Sequence, residues 1–395
     1  NKDIDIFTGF PGILSNSDRI TALWTCRSAL WERKDYIIDC FENFFLYRIK
    51  IYGKGRIGVL NYFSGASPVK PGSQYEAGRY LCPVATGGGA DTRYYTTAQS
   101  SSIELGYLVP PMFCYAFNLE GRNDWMGLGL AAKCNEYNFD RFSYVYNAVN
   151  ISEPRFYLQT DFHGYTAVDG EWESPAILCV SGFNEFDVLN SYSKWHYKEG
   201  DCKTIKKEIF DWWRGPLFCG WGEQCFINPE EPYSLANQYE YSKMTKSIDE
   251  LGINPSAIII DDKWQEFYGT ALPDKRKWPD MRKFVDEEHS KGRKVLLWFK
   301  AWNTEGLPCD ECVTLWGQPY GADPTNPKYK TRIKELMHTL LSSDEDCYNC
   351  DGFKVDFANV MPLGYDLQIY EKGVYGIELL KRFFLLLYNS AKEVK

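Results

Sequence analysis

The sequence predicts two domains of different class, an all-β sandwich over residues 1–200 and an α/β domain over residues 215–395, joined by a linker helix at 201–214. In the first part, short strand-like runs recur between Gly, Pro, Asn and Asp, which is typical of a β-sandwich. In the second part, apolar strands alternate with amphipathic helices, a pattern that indicates parallel strands in βα units. We count about four units, the first half of a (β/α)8 TIM-type barrel. An open doubly wound sheet is the alternative.

The strand-like runs of the N-terminal part end at turn residues. The run from Phe44 to Tyr52 alternates in polarity and stops at the turn Gly53-Lys54-Gly55. Further runs begin at Ile103, Met112, Asp124, Phe142, Arg155 and Pro175. Residues 87–89 are three glycines, but no GK[ST] follows them, so a plain loop is predicted there and not a phosphate-binding loop.

The C-terminal part alternates regularly between strand and helix patterns. Strands are predicted at 215–221, 257–260, 294–299 and 352–357, and helices at 238–251, 280–291, 327–342 and 376–392. Gly252 and Gly292 follow two of the helices, as expected where a helix ends.

Composition excludes several classes of protein. The chain has a formal net charge of −9 and so lacks the basic surface typical of a nucleic-acid binder. No apolar run reaches the length of a membrane helix. The 13 cysteines do not form a compact disulfide framework, which favours the cytoplasm, with secretion after removal of a signal peptide as the alternative. We therefore expect no nucleic-acid or membrane partner, and a homo-oligomer is possible.

Polar and aromatic residues gather where the four predicted strands end. They are Trp221 and Glu223, Asp261 and Asp262, Trp298 with Lys300 and Trp302, and Lys354 with Asp356. Active sites of α/β barrels are built at this edge. One such residue alone is typical of a helix cap or a loop turn, but the same pattern on four consecutive strands favours a site.

Lys354 and Asp356 are two residues apart on a strand, so both point to one face. A nearby ammonium favours the carboxylate over the acid, and an ionised carboxylate can attack an anomeric carbon. A salt bridge lining the barrel is the alternative.

Asp261 and Asp262 directly follow an apolar strand and can accept hydrogen bonds from sugar hydroxyls. They could also hold a hard cation, but no third acid is placed for it, so neither a metal nor a cofactor is predicted.

Five segments together carry a resemblance to a known family: IIIDDKWQ, KWPDMRKF, GRKVLLWF, DPTNP and DGFKVDF. They resemble the melibiase-like retaining α-galactosidases of glycoside hydrolase clan D, family 36 above all, with families 27 and 31 related. The resemblance covers residues 205–395, and the N-terminal part matches the family's super-sandwich in layout only. It implies hydrolysis of a terminal α-linked galactose or related sugar from an oligosaccharide or glycoside, by double displacement through a covalent glycosyl-enzyme.

The resemblance also implies roles for single positions. Asp356 matches the nucleophile, Lys354 a lysine on the sugar hydroxyls, Asp261 and Asp262 the acids that hold the 4- and 6-hydroxyls, and Trp221 and Trp298 the aromatic residues of the sugar pocket.

Two departures from the family pattern limit these assignments. Family 36 often has W-F-E-P-E where residues 298–302 are Trp-Phe-Lys-Ala-Trp. This difference leaves the identity of the sugar undetermined. The family's acid/base Asp follows a later strand, and 395 minus 356 leaves 39 residues after Asp356, so we expect that residue outside this sequence. A transglycosylase of the raffinose-synthase kind is an alternative, as is a non-catalytic sugar-binding fragment if the chain is complete.

Other chemistries have weaker signals. The pairs Cys309-x-x-Cys312 and Cys347-x-x-Cys350 are predicted at opposite ends of the sheet, separated by a helix of about 15 residues and roughly 22 Å. Separate thiols or local disulfides are therefore expected, and not one shared zinc. None of the four histidines forms HExxH, and no G-x-S-x-G elbow occurs.

Overall fold

A computed structural model describes residues 3–7, 9–63, 81–85, 103–105, 114–119, 125–133, 136–147, 155–202 and 209–395. The chain divides into two compact units, Asn1–Ile205 with Tyr375–Glu378, and Lys206–Val374 with Leu379–Lys395. The glycine loop predicted at 87–89 lies outside the described residues, as do residues 203–208 of the predicted linker helix. The end of that segment, Asp211–Arg214, is a 3-10 helix.

The first unit is built on a large antiparallel sheet. Its strands are β1 (Asp5–Phe7), β2 (Gly12–Ser15), β3 (Ile20–Ser28), β4 (Arg33–Cys40), β5 (Phe44–Tyr62), β6 (Leu81–Ala85), β7 (Ile103–Leu105), β8 (Cys114–Leu119), β9 (Trp125–Ala131), β10 (Arg141–Asn147), β11 (Arg155–Glu173) and β12 (Ala176–Gly182). The main path runs β1-β3-β4-β5-β12-β9-β8-β6. The predicted β-rich N-terminal part is confirmed.

The core of this unit follows from the alternation along β5. Its residues are alternately buried and more exposed, as a period-two pattern with one packed face requires. Tyr62, Phe142, Leu158 and Phe162 are fully buried in the resulting aromatic-rich cluster.

A helix, α1 (Glu185–Glu199), follows β12, where the sequence predicted strands or loops. The Asn184 side chain caps its start by accepting from the Asp187 amide, and Gly200 ends it in the left-handed conformation. The helix packs closely on β9, because a Cβ on Gly129 would come within 2.4 Å of the Tyr192 ring. The prediction of an all-β first domain is therefore wrong at this segment.

The second unit is α/β. Its elements are β13 (Leu217–Cys219), α2 (Trp221–Ile227), α3 (Gln238–Glu250), β14 (Ala257–Ile260), α4 (Met281–Ser290), β15 (Lys294–Lys300), β16 (Cys312–Leu315), β17 (Gln318–Ala322), α5 (Pro327–Leu341), β18 (Gly352–Asp356), β19 (Leu367–Gln368) and α6 (Gly376–Lys392). The predicted helices and three of the four predicted strands are confirmed to within one residue at each end. β16, β17 and β19 form a small antiparallel sheet that the sequence did not predict.

The other four strands of this unit are parallel and ordered β13-β14-β15-β18. Within this sheet, each strand therefore pairs with the sheet strand that follows it in sequence. A doubly wound sheet reverses its strand order at a switch point, and the four described strands show no reversal. No helix in the described residues has both the length and the apolar character to cross a membrane.

The cysteines of the two CxxC motifs are separate free thiols. Cys309 is exposed before β16 and Cys312 begins that strand, whereas Cys347 and Cys350 are buried before β18. In the described residues, Cys347, His338 and Asp344 each place one potential metal-ligand atom within 4.8 Å of the others. Among the same described residues, no such set of potential ligands includes cysteines of both motifs.

Asp351, just before β18, ties several elements of this unit together. Its buried carboxylate accepts from the Val295 amide at 2.9 Å and from His289 Nε2 at 2.6 Å, and it pairs with Lys294 at 3.1 Å and Lys395 at 3.3 Å. Burial alone would raise the pKa of Asp351, but the hydrogen bonds from His289 and Val295 and the nearby positive charges hold this pKa well below its usual range.

We expect Asp351→Ala to lower the free energy of unfolding at pH 7 by about 3 kcal/mol, since several charge-assisted hydrogen bonds are lost. Because the folded pKa is depressed, the wild-type carboxylate stabilises the fold above about pH 4, and this contribution is lost as the pH falls further. Urea unfolding at pH 7 and pH 3 measures both effects. Asp346→Ala, at an exposed position five residues earlier, is the control, and equal stability of the two variants would contradict the assignment.

Candidate active site

The parallel register brings the predicted site residues of two strands side by side. Trp298 pairs with Lys354, and Lys300 pairs with Asp356, on the neighbouring strands β15 and β18. Asp261 follows the last residue of β14 directly. Because residues two apart on a strand share a face, these side chains project together from the carboxyl edge of the sheet.

Lys354 lies at the centre of this group. Its Nζ donates to Asp261 Oδ2 at 2.8 Å and lies 3.8 Å from Asp356 Oδ2. Burial opposes the charge of Lys354, but the hydrogen bond and charge of Asp261 outweigh it, so the pKa of Lys354 is raised above its usual value. The lysine therefore remains an ammonium at neutral pH and links a buried acid to an accessible one.

Asp356 is held by one donor on each carboxylate oxygen. Trp298 Nε1 donates to Oδ2 at 3.0 Å, and the Phe357 amide donates to Oδ1 at 2.8 Å. Phe357 adopts the left-handed region at φ 56°, which is strained for a bulky residue. The Asp356 side chain remains 43% exposed, so the carboxylate is fixed in orientation and still open to a ligand.

Each carboxylate oxygen of Asp261 has a partner within the protein. Besides Lys354, its Oδ2 accepts from Cys219 Sγ at 2.9 Å, its Oδ1 accepts from the Asp262 amide at 2.9 Å, and its own amide donates to the Tyr241 hydroxyl at 2.7 Å. Burial and the bond to Asp261 raise the pKa of Cys219 to about 11. Asp261 itself is only 2% exposed.

Sequence reasoning missed Cys219 and Tyr241. Gly220, between Cys219 and Trp221, is the local signal that could have found them. A Cβ at this glycine would lie 2.1 Å from the Tyr241 hydroxyl, so only glycine leaves room for the tyrosine that bonds to Asp261.

Asp262 differs from its neighbour. It is 8% exposed, and its Oδ1 is buried without a hydrogen-bond partner in the described part of the chain. Burial raises the pKa of Asp262, and a hydrogen bond with Tyr268 and the charge of Lys300 oppose the rise. Tyr268, which the sequence did not single out, lies beneath the ammonium groups of Lys263 and Lys300, at 4.0 and 4.3 Å from its ring centre.

The two predicted tryptophans are placed differently. Trp298 is buried, and its indole N–H serves Asp356, so it presents no open ring face to a ligand. Trp221 begins α2 instead of ending β13, and its ring packs against Tyr233 at 5.5 Å. Among the described residues, no hydrogen bond or ring contact joins the Trp221 side chain to the Lys354 group. The structure brings the other five predicted residues together at this edge of the sheet, whereas the role of Trp221 stays a prediction.

No family model and no curated protein matches the sequence. Solved structures do share its fold. The cycloalternan-forming enzyme from Listeria monocytogenes, in complex with a pentasaccharide substrate, gives a TM-score of 0.58 at 13% identity, covering 99% of this chain and 44% of that one. The α-galactosidase TtGalA from Thermus thermophilus, in complex with stachyose, gives 0.51 at 13% identity, covering 98% and 73%.

A glycoside hydrolase family 97 enzyme from Pseudoalteromonas sp. strain K8, in complex with acarbose, gives a TM-score of 0.51 at 10% identity, covering 99% of this chain and 56% of that one. The chain thus spans about half the length of two of these three proteins. Identities this low show likeness of fold. The antiparallel β-sheet unit followed by an α/β unit is therefore an arrangement that this chain shares with solved glycoside hydrolases.

Proposed function

We propose that the protein is a retaining glycosidase that cleaves a terminal α-linked galactose or a related sugar, with Asp356 as the nucleophile. The observation that carries the proposal is the Asp356 carboxylate, which is accessible, held by a donor on each oxygen and accompanied by the Lys354 ammonium. The fold, shared with solved glycoside hydrolases, supports the enzyme class.

The four parallel strands are, in this proposal, the first half of a (β/α)8 barrel. The unbroken order β13-β14-β15-β18 supports it, because barrel strands follow one another in sequence.

The reaction proceeds in two displacements. Asp356 attacks the anomeric carbon, the bond from that carbon to the leaving oxygen breaks, and the oxygen takes a proton from a general acid. Water then attacks the same carbon, loses a proton to the resulting base and releases the Asp356 carboxylate. The acid/base group must be a second carboxyl group about 5–5.5 Å from the nucleophile.

The remaining residues of the site bind and orient. Lys354, whose ammonium lies 3.8 Å from Asp356, donates to sugar hydroxyls. Asp261 anchors Lys354 through the 2.8 Å hydrogen bond, and Asp262 accepts from a sugar hydroxyl. Trp221 remains the predicted wall of the sugar pocket.

Trapping of the intermediate tests this proposal. A 5-fluoro-α-galactosyl fluoride slows both displacements, and its good leaving group keeps the first one faster than the second, so intact-mass spectrometry of the full-length protein is expected to show one added fluorosugar. Peptide mapping is expected to place it on Asp356, and Asp356→Asn is expected to stay unlabelled. A label on another carboxylate contradicts the assignment.

A further inference from the structure

Lys300 is a cation at the candidate site that the proposed mechanism does not use. It ends β15, in register with Asp356 on β18. The two other lysines at this edge are ion-paired, Lys354 with Asp261 and Lys263 with Glu305 at 3.1 Å. In the part of the chain that the structure describes, the Lys300 ammonium has neither a hydrogen bond nor an ion pair.

Two aromatic rings hold the Lys300 ammonium in place. It lies 4.3 Å from the centre of the Tyr268 ring and 5.2 Å from that of the Phe357 ring. Ring faces stabilise the charge of an ammonium, but they leave its three N–H donors without oxygen acceptors. Lys300 is in register with Asp356, so both residues lie at the same edge of the sheet.

The two acids at this edge are less open to a ligand than Lys300. Asp261 is 2% exposed and accepts from Lys354, Cys219 and the Asp262 amide. Asp262 is 8% exposed, and its Oδ1 is buried without a donor among the described residues. Lys300, by contrast, carries its N–H donors on a partly exposed side chain.

We propose that Lys300 is a specificity-determining residue, which donates to a hydroxyl of the sugar bound at Asp356. A hydroxyl oxygen accepts hydrogen bonds, so it fits the N–H donors of this ammonium. The inference rests on the proposed function and deepens it. The site selects a glycosyl unit with a free hydroxyl at this position and discriminates against its deoxy and O-substituted forms.

The test measures sugar binding by isothermal titration calorimetry of the full-length protein. The best-bound of galactose, glucose and mannose serves as the parent sugar and is compared with its monodeoxy forms. Lys300→Met keeps the aliphatic chain and removes the donors, so we expect binding of the parent sugar to weaken about 10- to 100-fold. For one monodeoxy sugar, wild type and variant are expected to bind within about threefold of each other, because the hydroxyl that Lys300 would meet is absent.

Lys263→Met is the matched control. This substitution removes an ammonium that lies over the same Tyr268 ring but is already paired with Glu305. The affinity of Lys263→Met for the parent sugar is expected to stay within about threefold of wild type. Lys300→Arg, which retains the cation and its donors, is expected to recover most of the affinity lost in Lys300→Met.

Three results would overturn the inference: parent binding unchanged in Lys300→Met, an equal loss for every monodeoxy sugar, or no binding of any of the sugars by wild type. A wild-type protein that binds sugar and shows the Lys300 pattern, but turns over no glycoside, would overturn only the proposed function. The two proposals therefore fail separately.

Discussion

Replacing Asp356 with alanine is expected to lower kcat for an aryl α-galactoside by on the order of 10⁴-fold or more, because no other group can form the glycosyl-enzyme bond. The Asp356 side chain is 43% exposed, so water can replace it as the acceptor for Trp298 Nε1, and its loss should change Tm by no more than about 2 °C. Initial rates of aryl-glycoside hydrolysis and a thermal melt of the full-length protein measure the two quantities.

Two further variants separate the role of Asp356 from that of a general surface acid. Asp356→Asn keeps the size of the side chain and removes its nucleophilic oxygen charge, so it is expected to be as inactive as the alanine variant. Asp310→Ala removes an exposed carboxylate that pairs with Lys328 and should leave activity unchanged. Activity near the wild-type level in either Asp356 variant would refute the nucleophile assignment.

The sequence predicted the parallel strands well because their chemistry is local. The run at 257–260 is wholly apolar and becomes the fully buried β14, as expected for a strand covered on both faces. The K-x-D spacing of Lys354 and Asp356 likewise determines a shared face without knowledge of the fold.

The contacts that distinguish Asp261 from Asp262 could not be predicted locally. The two acids are adjacent and follow the same strand, yet Asp261 meets Cys219, 42 positions away, and Lys354, 93 positions away. Only the packing of β13, β14 and β18 together creates those bonds, so the pair appeared equivalent in sequence.

Errors at the ends of elements have a similar origin. The strand predicted at 215–221 stops at Cys219, because Gly220 adopts a helical backbone and α2 begins at Trp221. Helix α1 has a capping Asn184 and a terminal Gly200, but it follows a long series of strands and contains several aromatic residues, which obscured its helical period.

Lys354→Met is expected to lower kcat/KM by about 10²- to 10³-fold, the range for removing one preorganised donor from a charged site. It is also expected to lower the free energy of unfolding by about 2 kcal/mol, since Asp261 is only 2% exposed and loses its cation. Urea unfolding at pH 8, beside steady-state kinetics, measures both. Lys246→Met, an exposed lysine paired with Glu250 on α3, is the control and should change neither.

The pH dependence and a double variant show whether the Lys354–Asp261 pair itself is responsible. Because the folded pKa of Lys354 is raised above its usual 10.5, the pair stabilises the fold fully below about pH 10.5 and loses that contribution as the pH rises through the folded value. The stability difference between wild type and Lys354→Met should therefore be constant from pH 7 to 9 and shrink at higher pH.

Adding Asp261→Asn to Lys354→Met removes the uncompensated buried charge and should restore part of the lost stability without restoring activity. Equal stability losses in the single and double variants would show that the uncompensated Asp261 charge is not the cause.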